Sequence, residues 1–116
     1  MQSLLPTETA ALERIEHVPM LAQVQAWSAV NSGSSNLAGL APTAGLLADG
    51  FAALPGEIEL VAPAPVERVR ADGVIETVEH GRHLVLTVRP DAPTQLLFTG
   101  HMDTVFDSGA AAERPF

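Results

Sequence analysis

Gln95-Leu96-Leu97-Phe98-Thr99-Gly100-His101-Met102-Asp103-Thr104-Val105 is the stretch that decides the fold. Its first half is apolar without alternation, the pattern of a central strand buried on both faces; a half-exposed strand would show a polar residue at every second position. Its second half leaves that strand at Gly100 and presents an imidazole and a carboxylate two residues apart. In open α/β sheets, ligands bind beyond the carboxyl ends of the strands, so His101 and Asp103 are the candidate functional residues. Gly100 is expected to turn the backbone out of the strand and leave room beside it. A neutral nitrogen of His101 can ligate a metal. Asp103 lies on the same side if the chain stays extended, where its carboxylate can accept the imidazole's other N–H, fixing the tautomer and raising the ring's basicity.

Upstream of this stretch the hydrophobic period is two. Glu57-Ile58-Glu59-Leu60-Val61 alternates acid and apolar, and Val66 and Val69 continue in that style after a Pro-Ala-Pro break. Val74–Val78 and Leu84–Val88 flank His80-Gly81-Arg82, which reads as an antiparallel hairpin. Further back the period is helical. Leu37, Leu40, Ala44, Leu47 and Phe51 recur at spacings of three and four, the clearest amphipathic helix in the chain. Pro42, Gly45 and Gly50 lower its intrinsic propensity, so tertiary packing must hold it, and Leu54-Pro55-Gly56 should end it. Asn36 can cap this helix, and Ser32-Gly33-Ser34-Ser35 before it reads as a linker loop. A helix from Pro19 to about Asn31 carries Met20, Val24 and Trp27 on one stripe, with Trp27 expected in the core. Thr7 to about His17 reads as a short, largely exposed helix with acids in its first turn. The fold class is therefore α/β, with helices first, then a hairpin and a buried central strand.

Composition narrows the function. The 116 residues carry 14 acidic and 6 basic side chains, a formal net charge of -8, and all six basic residues are scattered arginines. No basic patch tracks a phosphate backbone, so nucleic acid is excluded as a partner. No run approaches the about 20 apolar residues of a membrane span, and Met1 to Pro6 lacks the basic start and apolar core of a secretory signal, so a cytoplasmic location is expected. There is no cysteine, hence no thiol nucleophile and no thiolate metal site; a metal would be held by His and carboxylates. Aromatics are 4% of the chain and alanine alone contributes 18 residues, so the core is thin in large side chains.

Other chemistry-bearing residues have simpler readings. His80 and His83 sit in or beside a polar turn, and His17 is a helix-end residue. Ser32-Gly33-Ser34-Ser35 lacks the surroundings of a nucleophile elbow or a phosphate loop. Glu57 and Glu59 follow from alternation on a half-exposed strand rather than from a catalytic carboxylate pair.

The segment Leu96-Leu97-Phe98-Thr99-Gly100-His101-Met102-Asp103-Thr104-Val105 resembles the first signature of the co-catalytic zinc metallopeptidases and amidohydrolases: an apolar strand followed by Gly/Ser-His-x-Asp-x-Val. That family includes glutamate carboxypeptidase, acetylornithine deacetylase, succinyl-diaminopimelate desuccinylase and aminoacylase. Val30-Asn31-Ser32-Gly33-Ser34-Ser35-Asn36 looks like the loop between the first two helices of the glutamate carboxypeptidase branch. Ala112-Glu113-Arg114-Pro115-Phe116 looks like the segment before that branch's second metal-binding motif. The resemblance implies that His101 is a ligand of one of two zinc ions and that Asp103 is the active-site carboxylate orienting it.

It also implies that the bridging Asp, the general-base Glu, a further acidic ligand and a final His follow downstream of this signature. Residues 1–116 are thus expected to be the N-terminal portion of a three-layer zinc-peptidase catalytic domain, cut before its second metal-binding motif. The implied activity is hydrolysis of an amide bond in a small peptide or an acylated amino acid, and dimers in the family commonly form through an inserted second domain. The alternative is a noncatalytic α/β module that binds another protein through a strand edge or the hairpin.

Overall fold

In the computed structural model, residues 3–15 and 17–116 are described. Met1, Gln2 and Glu16 lie outside the described residues, so the reading of the chain's start as lacking a signal, and the place of Glu16 in the first helix, are not addressed. Helix α1 is Pro6–Glu13, α2 is His17–Ser28 and α3 is Leu37–Phe51. Proline opens α1, where its missing N–H is not needed, and Glu8 accepts the backbone N–H of Leu5 at 2.7 Å, closing the first turn. No residue of α1 is buried, as its acid-rich sequence predicts. Helix α2 begins two residues before Pro19, which therefore falls in its first turn, where proline is tolerated. Its expected stripe is only partly covered. Trp27 is half-buried, its ring lying over Gly50 of α3, whereas Met20 and Val24 are exposed.

Helix α3 holds the core. Leu40 and Ala44 are its buried apolar residues, and the helix lies against strands β1, Glu57–Val61, and β4, His83–Thr87. Pro42 sits inside the helix beyond its first turn and leaves the Ala38 carbonyl without its helical partner. Asn36 caps the start as expected, its side chain accepting the Gly39 N–H at 3.1 Å. In β1 the apolar Ile58 and Leu60 turn inward while Glu57 and Glu59 stay exposed, confirming the alternation.

The strands pair differently from the expected hairpin. Strand β1 pairs antiparallel with β4, Ile58 opposite Leu86 and Leu60 opposite Leu84, while β2, Val66–Val69, pairs with β3, Ile75–Val78. One hairpin is thus inserted between the two strands of the other sheet. The tight turn lies at Arg70-Ala71-Asp72-Gly73 rather than at His80-Gly81-Arg82. Gly73 takes a φ of 82°, its N–H donates to the Arg70 carbonyl at 2.9 Å, and the Asp72 carboxylate accepts the Val74 N–H at 3.2 Å. An Asp-Gly pair at this place satisfies the left-handed position that a hairpin loop requires. The His80–Arg82 segment instead crosses from one sheet to the other beneath Leu40, which stands 3.2 Å from where a Cβ on Gly81 would be.

The buried central strand does not form within this chain. Residues 95–99 belong to no strand, and Leu96, Leu97 and Phe98 are 78%, 89% and 89% exposed. The cause is local. The two N–H groups of the Gln95 side-chain amide are shared among the carbonyls of Arg89, Pro90 and Ala92 at 3.1, 3.1 and 2.8 Å, holding the start of the run in a turn, and the far end is pinned at Thr104 by a parallel bridge to Gly33. Between these anchors no strand of the described residues lies alongside. The accessible surface of 9752 Å² and radius of gyration of 18.5 Å exceed the about 6,000 Å² and about 13 Å of a compact domain of this size. What is shown is a mixed α/β arrangement with a small core under α3.

Candidate functional site

The site is built where two loops meet. After the exposed run the chain reaches His101, Met102 and Asp103, and at Thr104 it docks on the loop between α2 and α3. The Thr104 N–H donates to the Ser32 carbonyl and the Ser34 N–H to the Thr104 carbonyl, both at 2.9 Å. Asn31 extends the clasp, its amide donating to the Asp107 carbonyl at 2.7 Å. The same Asn31 oxygen accepts the Gly33 N–H at 3.2 Å and the Asn36 amide at 2.9 Å. Ser32 and Gly33 are buried by this docking. Past it, the Arg114 guanidinium stacks 5.1 Å from the centre of the Phe106 ring, joining the short helix α4, Ala110–Glu113, to the same segment.

Within this frame His101 and Asp103 come together as the spacing predicts. Nδ1 of His101 stands 3.3 Å from Oδ1 of Asp103, and nearer still, at 2.9 Å, to the backbone carbonyl of the same residue. Two oxygens of Asp103 therefore compete for the proton on Nδ1, and the carbonyl, which the sequence did not suggest, is the closer. Both arrangements favour the tautomer that keeps a lone pair on Nε2. The His101 side chain is 85% exposed, so that lone pair is accessible. The other carboxylate oxygen, Oδ2, accepts the Ser34 hydroxyl at 2.6 Å. This bond holds the Asp103 carboxyl below the usual carboxylate value; its own backbone N–H and the neighbouring imidazole act in the same direction, and slight burial opposes them.

The donor set fits part of a metal site. An imidazole nitrogen held by a carboxylate and a carbonyl is a normal zinc ligand with its orienting partners, but a catalytic zinc takes about three protein ligands and a water. Among the described residues no group of three His, Asp or Glu side chains is placed to hold a metal. His80 lies elsewhere, lining with Arg82, Leu37 and Leu60 a cleft of about 310 Å³ beside α3. A polar cleft of about 340 Å³ between Gly33, Asn36, Phe106 and Ser108 borders the clasp without including His101 or Asp103. Gly100 has open space around it, so room beside the chain does not depend on its lacking a side chain.

No known protein family, curated protein or solved structure matches this chain. The geometry stands by itself. Ser34 is the residue that sequence reading passed over, taken as part of a linker. The signal for it was present: Asn-Ser-Gly-Ser-Ser-Asn concentrates short side chains that bond to backbone and carboxylate, together with a glycine that permits close approach. Asn31 was read only as the end of a helix and a part of the family-like loop.

Proposed function

We propose that residues 1–116 carry the first metal-binding signature of a zinc-dependent hydrolase that cleaves an amide bond, of the carboxypeptidase or N-acyl-amino-acid deacylase type. The observation that carries this reading is the His101–Asp103 pair, with Nδ1 held at 2.9 and 3.3 Å by Asp103 and the ring otherwise open to solvent. In this reading Nε2 of His101 would hold one of two zinc ions. Zinc bound at such a site polarises a carbonyl and lowers the pKa of a water so that it attacks at neutral pH. Asp103 keeps the proton on Nδ1 and the charge on its own carboxylate, and the clasp of residues 31–36 keeps Asp103 in place.

In this reading the remaining ligands and the general base lie outside residues 1–116. The bare Leu96–Phe98 run supports this reading, since an exposed apolar run calls for neighbouring strands and covering helices. The substrate class is a small peptide or an acylated amino acid and the location cytoplasmic, and the dimers common in the family are open to the full-length protein. Among the described residues no helix is long and apolar enough to cross a membrane.

The test is direct. The full-length protein with zinc should hydrolyse N-acyl amino acids or dipeptides, and His101→Ala should abolish this. Full activity in His101→Ala with zinc present removes the ligand assignment. The same exposed run also favours a second reading, a noncatalytic module that accepts a strand from another protein. Capture of an added strand-forming peptide along residues 95–99, with no amide hydrolysis by the full-length protein, would decide for the module.

A further inference from the structure

Asp103 divides its two carboxylate oxygens between two partners. Oδ1 faces Nδ1 of His101 at 3.3 Å and Oδ2 takes the Ser34 hydroxyl at 2.6 Å. The hydroxyl lies in turn 3.1 Å from the Thr104 carbonyl, and the Ser34 N–H donates to that same carbonyl. Ser34 is thus fixed to the backbone beside Asp103 and to its carboxylate at once. A carboxylate two residues from an exposed imidazole can rotate freely about its side-chain bonds, and with Oδ2 tethered that rotation is restricted.

We propose that Ser34 is a positioning residue for the His101–Asp103 pair: its hydroxyl holds the carboxylate in the rotamer that presents Oδ1 to Nδ1, and so keeps the imidazole in the tautomer that leaves Nε2 free to ligate. The inference rests on the proposed hydrolase for its catalytic meaning, while its geometric content concerns the imidazole alone. The Asp103 carbonyl, 2.9 Å from Nδ1, favours the same tautomer but does not hold the carboxylate. Asn31 bonds backbone carbonyls at Phe106 and Asp107 and holds the loop, not the carboxylate.

The test is read on the ring itself. In the full-length protein, freed of metal by a chelator and held near pH 8, well above the ordinary imidazole value of about 6.5, the nitrogen-15 shifts of His101 report which nitrogen bears the proton. His101→Gln assigns the signals by their loss. The wild-type ring should be mainly protonated on Nδ1. In Ser34→Ala the ratio of the Nδ1–H to the Nε2–H form should fall by about threefold, the scale of part of one hydrogen bond, and Ser34→Thr, which keeps the hydroxyl, should restore it. A ratio unchanged in Ser34→Ala, or lowered as much in Ser34→Thr, overturns the proposal. So does a fall as large in Asn31→Ala, because loosening the loop would then explain the effect without the hydroxyl. A shifted ratio in a protein that hydrolyses no amide keeps the positioning role and removes the reaction, and an unshifted ratio in an active hydrolase does the reverse.

Discussion

The Ser34 hydroxyl donates to the Asp103 carboxylate at 2.6 Å across 69 residues of sequence. It joins the loop ahead of α3 to the segment bearing the candidate metal ligand, and the joint is continued by an isolated parallel bridge between Gly33 and Thr104. The candidate site depends on this joint more than on a sheet, because the run leading into it has no strand partner among the described residues.

The joint leaves no space at Gly33. A Cβ there would stand 2.5 Å from the Phe106 carbonyl oxygen, a backbone atom that cannot swing aside. Gly33→Ala should therefore push the two segments apart, at a cost of about 1–3 kcal/mol to local docking. Amide hydrogen exchange checks it: protection of Ser34 and Thr104 should fall while the amides shared by β1 and β4 keep theirs. Equal loss in both places would mean that the clasp and the sheet unfold as one unit.

The pH dependence of the joint follows from the depressed Asp103 value. A carboxyl whose folded pKa lies below its ordinary value of 3.8 contributes stability that is fully present above the unfolded value and is lost as pH falls through the folded one. Docking of the clasp should be constant from neutral pH down to about pH 5 and weaken in the range below 3.8. Amide shifts of Ser34 and Thr104 followed on acidification would show it, and Asp103→Asn should remove that acid step.

Much of this was legible from residue order, and the failures have identifiable causes. The α3 stripe, the Asn36 cap and the Glu57–Val61 alternation are local patterns, and each reappears in the structure. The hairpin was misplaced because His80-Gly81-Arg82 and Asp72-Gly73 both lie between strand-like runs, and only the second meets the φ of 82° that its turn demands. The central strand was inferred from apolarity. Apolarity records what a segment needs around it, and residues 95–99 do not find it among the described residues. The Ser34–Asp103 bond was invisible because it joins positions far apart in sequence, and no spacing rule reaches that far.

That difference between need and surroundings can be measured at Leu97 and Phe98, both 89% exposed. In the isolated chain, Leu97→Glu or Phe98→Glu should leave the midpoint of urea unfolding unchanged, since no burial is lost, and should reduce self-association by removing exposed apolar surface. In the full-length protein, if this run is the covered strand of the proposed domain, the same substitutions should destabilise by about 3 kcal/mol or more by placing a charge among apolar side chains. No destabilisation in the longer protein would mean that the run stays uncovered there, and the proposed domain would lose its central strand.

Metal binding by the isolated chain separates a partial site from a complete one. His101 offers one imidazole nitrogen, its neighbouring carboxylate is engaged by Ser34, and no group of three metal-binding side chains gathers among the described residues. Zinc titrated into the 116-residue chain should therefore bind weakly and without a sharp stoichiometric end point, and the chain should hydrolyse no acyl-amino acid, because a catalytic zinc needs about three protein ligands and a water. His80→Ala should leave this weak binding unchanged, and His101→Ala should diminish it. Tight one-to-one binding that survives His80→Ala and disappears in His101→Ala would show that this chain already assembles a full ligand set around His101, which the arrangement of its side chains does not provide for.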